Sequence, residues 1–283
     1  MLTGCAPATP TAAVVGALAL LLGACTAGSG AEGADPASHE YRPGLSAHPH
    51  VPADVTSAPV VVMVPGGSWR SAEPAGLEPL AEAFADRGVF AMPVVIRAAQ
   101  DDVVHPTPVE DVLCALADGA ATARDEGIEP ERLVLLGHSS GAHLSALAAL
   151  AVDDYAPRCE DPLVVPDAVV GLAGPYDIRR FADAASVLFE DGADRDQWDA
   201  ANPVLRAGER PEVPFLLLHG DLDDVVPPSF STQFGAALRA GGHAATVQVL
   251  PREDHGSIYS AEAAAEPVAQ WLDGLDGPAS DEG

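Results

Sequence analysis

The sequence contains no lysine, and its 14 basic residues, all arginines, face 42 aspartates and glutamates, for a formal net charge of −28. Nucleic acid is therefore a poor candidate partner, because it binds basic surfaces. Such acidity is typical of a solvated surface. Aromatic residues make up only 5% of the 283 residues, whereas 48% are hydrophobic. This composition fits one α/β domain of about 250 residues and argues against a second large domain.

No comfortable membrane span is present near the N-terminus, since the apolar run from Ala12 to Ala24 is too short. The run ends in Leu22-Gly-Ala-Cys25, which resembles a bacterial lipoprotein lipobox. The resemblance implies a signal peptide over residues 1–24, a lipid on Cys25, and a polar tether over residues 25–38. The first charged residue is Glu32, so a plain secretory signal or an uncleaved anchor also stays open. Each alternative exports the domain over residues 39–283, to the cell surface or beyond. In the lipoprotein interpretation, a lipid on Cys25 is the one expected link to a membrane.

Cysteine is scarce. If Cys5 leaves with the signal and Cys25 is lipidated, Cys114 and Cys159 are the pair that remains in the domain. An oxidising compartment would allow them to bridge. The sequence does not give the Cα separation that a bridge requires, so a disulfide and two buried free thiols are both open.

The rest of the chain alternates short apolar runs with helical patterns. The alternation predicts an α/β fold with a mostly parallel central sheet and helices on both faces. Pro93 indicates an irregular or edge strand. The predicted strands cover residues 59–64, 89–96, 132–136, 168–172, 214–218 and 245–250, and the predicted helices cover 75–87, 109–126, 141–152, 229–239 and 261–275.

Two segments interrupt this alternation. Residues 36–58 are interpreted as a loop or a weak edge hairpin. Residues 174–211 follow the carboxyl end of a predicted strand, where loops surround the ligand in α/β sheets. This insertion is a candidate lid, with a plain surface excursion as the alternative.

One serine is flanked by glycines, in Gly137-His-Ser-Ser-Gly141. A strand is predicted before this motif and a buried helix after it, as in the strained turn that exposes a nucleophilic serine. Gly137 and Gly141 would relieve backbone crowding at that turn. We therefore expect Ser139 to be the nucleophile, and the N–H of Ser140, at the helix N-terminus, to stabilise an oxyanion.

Residues 137–144, Gly-His-Ser-Ser-Gly-Ala-His-Leu, resemble the nucleophile elbow of α/β-hydrolase-fold esterases. That group includes carboxylesterases, feruloyl and acetyl-xylan esterase-like enzymes and kynurenine formamidase-like enzymes, and the similarity extends from about Val60 to Trp271. Its HGGxW-type oxyanion loop matches Pro65-Gly-Gly-Ser-Trp69, with proline in place of the histidine. The resemblance implies that the N–H groups of Gly67 and Ser68 are further oxyanion donors.

The acid and the base are expected after the serine. The stretch His219-Gly-Asp-Leu-Asp-Asp-Val-Val-Pro227 resembles the family's HGxxDxxVP motif, which implies that Asp223 is the orienting carboxylate. Of the nine histidines, His255 follows the strand at 245–250 in a loop at its carboxyl end. We assign it the role of general base.

These residues predict a serine hydrolase that cleaves small or medium-sized carboxylic esters through an acyl-enzyme. No cofactor is expected, and no metal, because the histidines and acids lack ligand spacing. An amidase or formamidase would need the same residues. A weakened hydrolase-fold binding module at the cell surface is the other alternative, motivated by Pro65.

Overall fold

A computed structural model describes residues 38–155 and 157–275. The signal peptide, the lipidation of Cys25 and most of the tether are predictions for residues 1–37, which lie outside the described residues. Within the described ranges, no helix is both long enough and apolar enough to cross a membrane.

The centre of the domain is a six-stranded sheet in the order β4-β3-β5-β6-β7-β8, and all five neighbouring pairs run parallel. A separate antiparallel hairpin, β1 and β2, precedes it. The strands are β1 His39–Arg42, β2 Leu45–Ala47, β3 Ser57–Val64, β4 Phe90–Pro93, β5 Glu129–His138, β6 Ala168–Leu172, β7 Phe215–Gly220 and β8 Ala245–Leu250.

The helices cover both faces of the sheet, as predicted. Side chains alternate along β3, so that Val60 and Val62 pack with α2 and α3, whereas Val61 and Met63 pack with α1 and α7. The helices are α1 Glu78–Ala85, α2 Thr107–Asp125, α3 Ser140–Leu150, α4 Ala182–Ala185, α5 Arg195–Ala200, α6 Ser229–Ala240 and α7 Ala261–Leu275.

Strand β4 forms one edge of the sheet and is shorter than predicted. It ends at Pro93, which cannot donate a ladder hydrogen bond. The segment after the hairpin covers its free edge, because the N–H of His50 donates to Ala91 O at 2.8 Å and the N–H of His48 to Pro93 O at 2.9 Å. The predicted edge position of Pro93 is confirmed, and the weak hairpin in residues 36–58 is present.

The insertion at residues 174–211 contains α4 and α5, joined by short 3-10 turns. It begins directly beyond the carboxyl end of β6. Phe181 packs edge to face against Trp69, with the ring centroids 6.4 Å apart. The insertion therefore lies against the loop that follows β3.

Candidate active site

The serine at the end of β5 lies on a strained turn. Ser139 has φ 51° and ψ −121°, a positive φ that non-glycine residues rarely adopt. A Cβ at Gly137 would collide with the Gly141 backbone, and one at Gly141 would collide with Val64 O. Helix α3 starts at the next residue, Ser140, and all 11 of its residues are buried. Close packing of strand, turn and helix thus requires glycine at both positions.

Ser139, His255 and Asp223 form one hydrogen-bonded chain. The Oγ of Ser139 lies 3.0 Å from Nε2 of His255, and the Nδ1 of His255 lies 2.8 Å from Oδ2 of Asp223. The Asp223 side chain is 0% exposed and that of His255 is 16% exposed. With Nδ1–H donating to the carboxylate, Nε2 is left to accept the serine proton.

The loops that carry the acid and the base are fastened to each other. The N–H of Arg252 donates to Asp221 Oδ1 at 2.6 Å, and the N–H of Leu222 donates to Glu253 O at 2.9 Å. A Cβ at Gly220 would collide with the Glu253 backbone. The two loops are therefore held in register at the carboxyl ends of β7 and β8.

Asp223 also organises its own turn. Its Oδ1 accepts the N–H groups of Val225 at 3.0 Å and Val226 at 2.8 Å. These bonds leave Oδ2 for the imidazole. Asp254, next to the base, is held in a similar turn, because the N–H groups of Ser257 and Gly256 donate to it and hold the pKa of its carboxyl below the usual value.

The loop after β3 approaches the serine turn closely. A Cβ at Gly66 would lie 2.8 Å from His138 Nδ1 and 3.1 Å from Ser139 Cβ. Gly67 and Ser68 follow with φ values of 148° and 55°. Ser140 is the first residue of α3, where backbone N–H groups have no acceptor within the helix. The three predicted oxyanion donors therefore lie on two backbone segments beside Ser139.

His138 supports the base through the backbone. Its Nε2 lies 2.9 Å from His255 O, so Nε2 carries the proton and donates. Burial, together with the charge of His255, lowers the pKa of His138 to about 4. His138 is therefore neutral near pH 7 and holds the His255 backbone in place.

The structure brings the predicted residues Ser139, Asp223 and His255 into contact, with Ser140, Gly67 and Ser68 on the adjoining backbone. Three histidines near them were given no role by the sequence analysis. These are His138, His143 and His219, which all precede Asp223 in the sequence. Their close spacing to the assigned residues was the available signal: His138 precedes Ser139, His143 lies four residues after it, and His219 lies four residues before Asp223.

A disulfide joins Cys114 of α2 to Cys159, with the two Cα atoms 5.1 Å apart. Of the two alternatives from the sequence, the structure therefore has the bridge and not two free thiols. Among the same residues, no group of three or more histidines, cysteines or acids is placed to hold a metal ion.

The order of the strands, the strained turn at Ser139 and the hydrogen bonds that join Ser139, His255 and Asp223 are those of the α/β-hydrolase fold. Solved structures share it. The chain matches an acetyl ester-xyloside bifunctional hydrolase from Caldicellulosiruptor lactoaceticus with a TM-score of 0.72 and 20% identity, over 83% of this chain and 91% of that one. It matches esterase 2 of Thermogutta terrifontis with butyrate bound at a TM-score of 0.66 and 22% identity, over 85% and 93%.

A family model described as BD-FAE matches residues 50–238. The chain therefore belongs to the BD-FAE family. Among curated proteins of Mycobacterium tuberculosis it is 31% identical to Esterase LipQ over 75% of this chain and 53% of that protein. It is 32% identical to Esterase LipC over 76% and 57%. The chain thus spans about half the length of these relatives.

Proposed function

We propose that this chain is a serine esterase that cleaves carboxylic esters of small or medium-sized substrates through an acyl-enzyme. The observation that carries the proposal is the chain of contacts at the carboxyl edge of the sheet, 3.0 Å from Ser139 Oγ to His255 Nε2 and 2.8 Å from His255 Nδ1 to Asp223 Oδ2. This arrangement activates a hydroxyl that is otherwise a poor nucleophile.

The proposed reaction uses each of these groups in turn. Ser139 Oγ attacks the ester carbonyl as His255 Nε2 takes its proton, and Asp223 stabilises the imidazolium that forms. The N–H groups of Ser140, Gly67 and Ser68 donate to the oxyanion. His255 then protonates the departing alkoxide, and water repeats the sequence to release the acid and free Ser139.

A cavity of about 180 Å³ lies next to the serine turn, bordered by Gly66, His138 and Tyr259. Ser139 is not among its lining residues, so the size of the substrate is tested directly, with esters of different acyl length.

Esters are favoured over amides because the relatives LipQ and LipC are both named esterases. The test is a panel of p-nitrophenyl acetate, p-nitrophenyl butyrate, the matching anilides and an N-formyl aromatic amine, each with the purified chain and with Ser139→Ala. Ester turnover that Ser139→Ala abolishes supports the esterase. Faster cleavage of the anilides or the N-formyl compound would favour an amidase or formamidase, and a folded chain with no turnover would favour a binding module.

We also propose that the domain is exported and anchored through a lipid on Cys25. The lipobox-like Leu22-Gly-Ala-Cys25 supports this location. The Cys114–Cys159 disulfide supports it as well, because such bonds persist in oxidising compartments. Expression with labelled palmitate should give a labelled, membrane-associated protein, and Cys25→Ala should abolish the label. An unlabelled wild-type protein in the soluble exported fraction would indicate a plain secretory signal.

A further inference from the structure

Two imidazoles share one oxygen of Asp223. The Oδ2 atom lies 2.8 Å from Nδ1 of His255 and 3.1 Å from Nε2 of His219. The side chains of His219 and Asp223 are both 0% exposed. His219 belongs to β7 rather than to a loop. Asp223 is thus held between the base on one side and a buried histidine of the sheet on the other.

The neighbours of His219 determine where its proton lies. Nε2 is 2.7 Å from Val226 O and 3.1 Å from Asp223 Oδ2, and both of these atoms are acceptors. Nε2 must therefore carry a hydrogen, which the two oxygens share. Nδ1 lies 2.7 Å from Ser231 Oγ, so it accepts the hydroxyl hydrogen. Burial lowers the pKa of His219, which keeps the ring neutral in this tautomer.

We propose that His219 is a positioning residue that sets the orientation and the effective charge of Asp223. This inference rests on the proposed esterase function of the same site. Oδ1 accepts two backbone N–H groups, from Val225 and Val226. Oδ2 accepts Nδ1–H of His255 and the shared Nε2–H of His219. The carboxylate therefore cannot rotate away from His255. The hydrogen bond from His219 also neutralises part of its negative charge.

The other groups that face His255 do not take over this role. His138 faces it from the serine turn and is neutral near pH 7, because burial lowers its pKa to about 4. Asp254 also acts on His255 electrostatically, but it is fully exposed and engaged by backbone N–H groups. His219 itself is acted on by Asp223 and by His255. Removal of the Nε2–H of His219 therefore acts on His255 chiefly through Asp223.

The hydrogen bond from His219 weakens the pull of Asp223 on the base. Without this donor, Asp223 attracts the imidazolium form of His255 more strongly. The acidic limb of kcat/KM, which reports the base in the free enzyme, then moves to higher pH. The carboxylate of Asp223 is also less well oriented toward His255, and we expect kcat/KM at the optimum to fall by about 10- to 100-fold, the equivalent of one hydrogen bond to a charged group.

The test compares His219→Leu, which removes the donor, with His219→Gln, whose carboxamide N–H can replace Nε2–H. We expect p-nitrophenyl ester hydrolysis by His219→Leu to show the shifted limb and the loss of rate, and His219→Gln to stay near the wild type. His243→Leu is the control, because His243 is also buried but contacts Val213 O, at 2.8 Å, instead of the acid. It should lower stability and leave the limb in place.

A ¹⁵N spectrum of wild-type imidazoles tests the inference without any variant, and it remains usable if His219→Leu does not fold. We expect His219 to be neutral with its proton on Nε2 at pH 7. A proton on Nδ1, an unshifted limb in folded His219→Leu, or an equal shift in His243→Leu would overturn the inference. Failure of the esterase proposal is distinct, since the wild-type chain would then show no turnover that Ser139→Ala abolishes.

Discussion

The indole Nε1 of Trp69 donates a hydrogen bond to Nδ1 of His143, 3.1 Å away, and the two rings meet edge to face with centroids 5.4 Å apart. The Nε2 of His143 donates in turn to Ala201 O at 2.9 Å. One buried imidazole on α3 thus connects the oxyanion loop to the insertion at residues 174–211. We expect the geometry of the proposed oxyanion donors to depend on this connection.

Trp69→Phe tests that dependence, because it keeps an aromatic ring and removes the N–H. We expect kcat for p-nitrophenyl acetate to fall by about 3- to 10-fold, the equivalent of one neutral hydrogen bond. Trp271→Phe, in α7, is the matched control and should retain the wild-type rate. An unchanged kcat in Trp69→Phe would show that packing alone holds the loop.

Gly67 is expected to be indispensable for turnover. It has φ 148°, and a Cβ there would collide with the carbonyl of Ser71. Gly67→Ala should displace the loop and lower kcat by about 100- to 1,000-fold, as loss of an oxyanion donor does. Gly88→Ala is the control, since Gly88 also has a positive φ of 80° but has open space around it. If both variants lose activity equally, backbone strain rather than the oxyanion loop is responsible.

The Cys114–Cys159 disulfide is expected to stabilise the fold without taking part in catalysis. The two cysteines are 45 residues apart in the sequence. Replacing both with alanine should lower the free energy of unfolding by about 2–4 kcal/mol, measured by urea titration. Ester hydrolysis at 25 °C should be retained. Dithiothreitol should destabilise the wild type and leave the double variant unchanged; equal sensitivity of both would contradict a structural role for the bridge.

Stability is expected to fall as the pH drops from 7 to 5. Burial is the leading cause that lowers the pKa values of His105, His138 and His143 to about 4, from an ordinary value of 6.5. Below pH 6.5 the unfolded chain therefore binds protons that the folded chain does not bind. Each of the three histidines then lowers the free energy of unfolding by an amount that approaches about 1.4 kcal/mol for each pH unit of acidification. Urea titrations should show this slope, and His105→Phe should reduce it. A flat profile over this range would contradict the account.

Much of the fold was predictable because periodicity is a local property. The boundaries of β6, β8 and α7 agree with the sequence analysis, since each is a clean apolar run or a clean helical pattern. The helix predicted over residues 75–87 is instead a 3-10 turn at Pro74–Leu77 followed by α1. Pro79 at the second position of α1 fits a helix that starts at Glu78 rather than earlier.

The roles of the histidines were not predictable in the same way. Ser139, Asp223 and His255 stand in motifs whose residues are adjacent in sequence. His219 contacts Asp223 and His143 contacts Trp69 because β7 and α3 place them there. Their spacing along the sequence indicates that they lie near the site, but it does not give their contacts. Buried polar contacts between elements depend on packing, which a single sequence does not specify.

The most direct test of the central claim is covalent labelling of the purified chain with a fluorophosphonate, followed by peptide mass spectrometry. The geometry predicts one phosphonylated residue, Ser139, with labelling abolished in Ser139→Ala and strongly slowed in His255→Ala. Labelling of Ser139 in His255→Ala at the wild-type rate, or no labelling of a folded wild-type chain, would contradict the account.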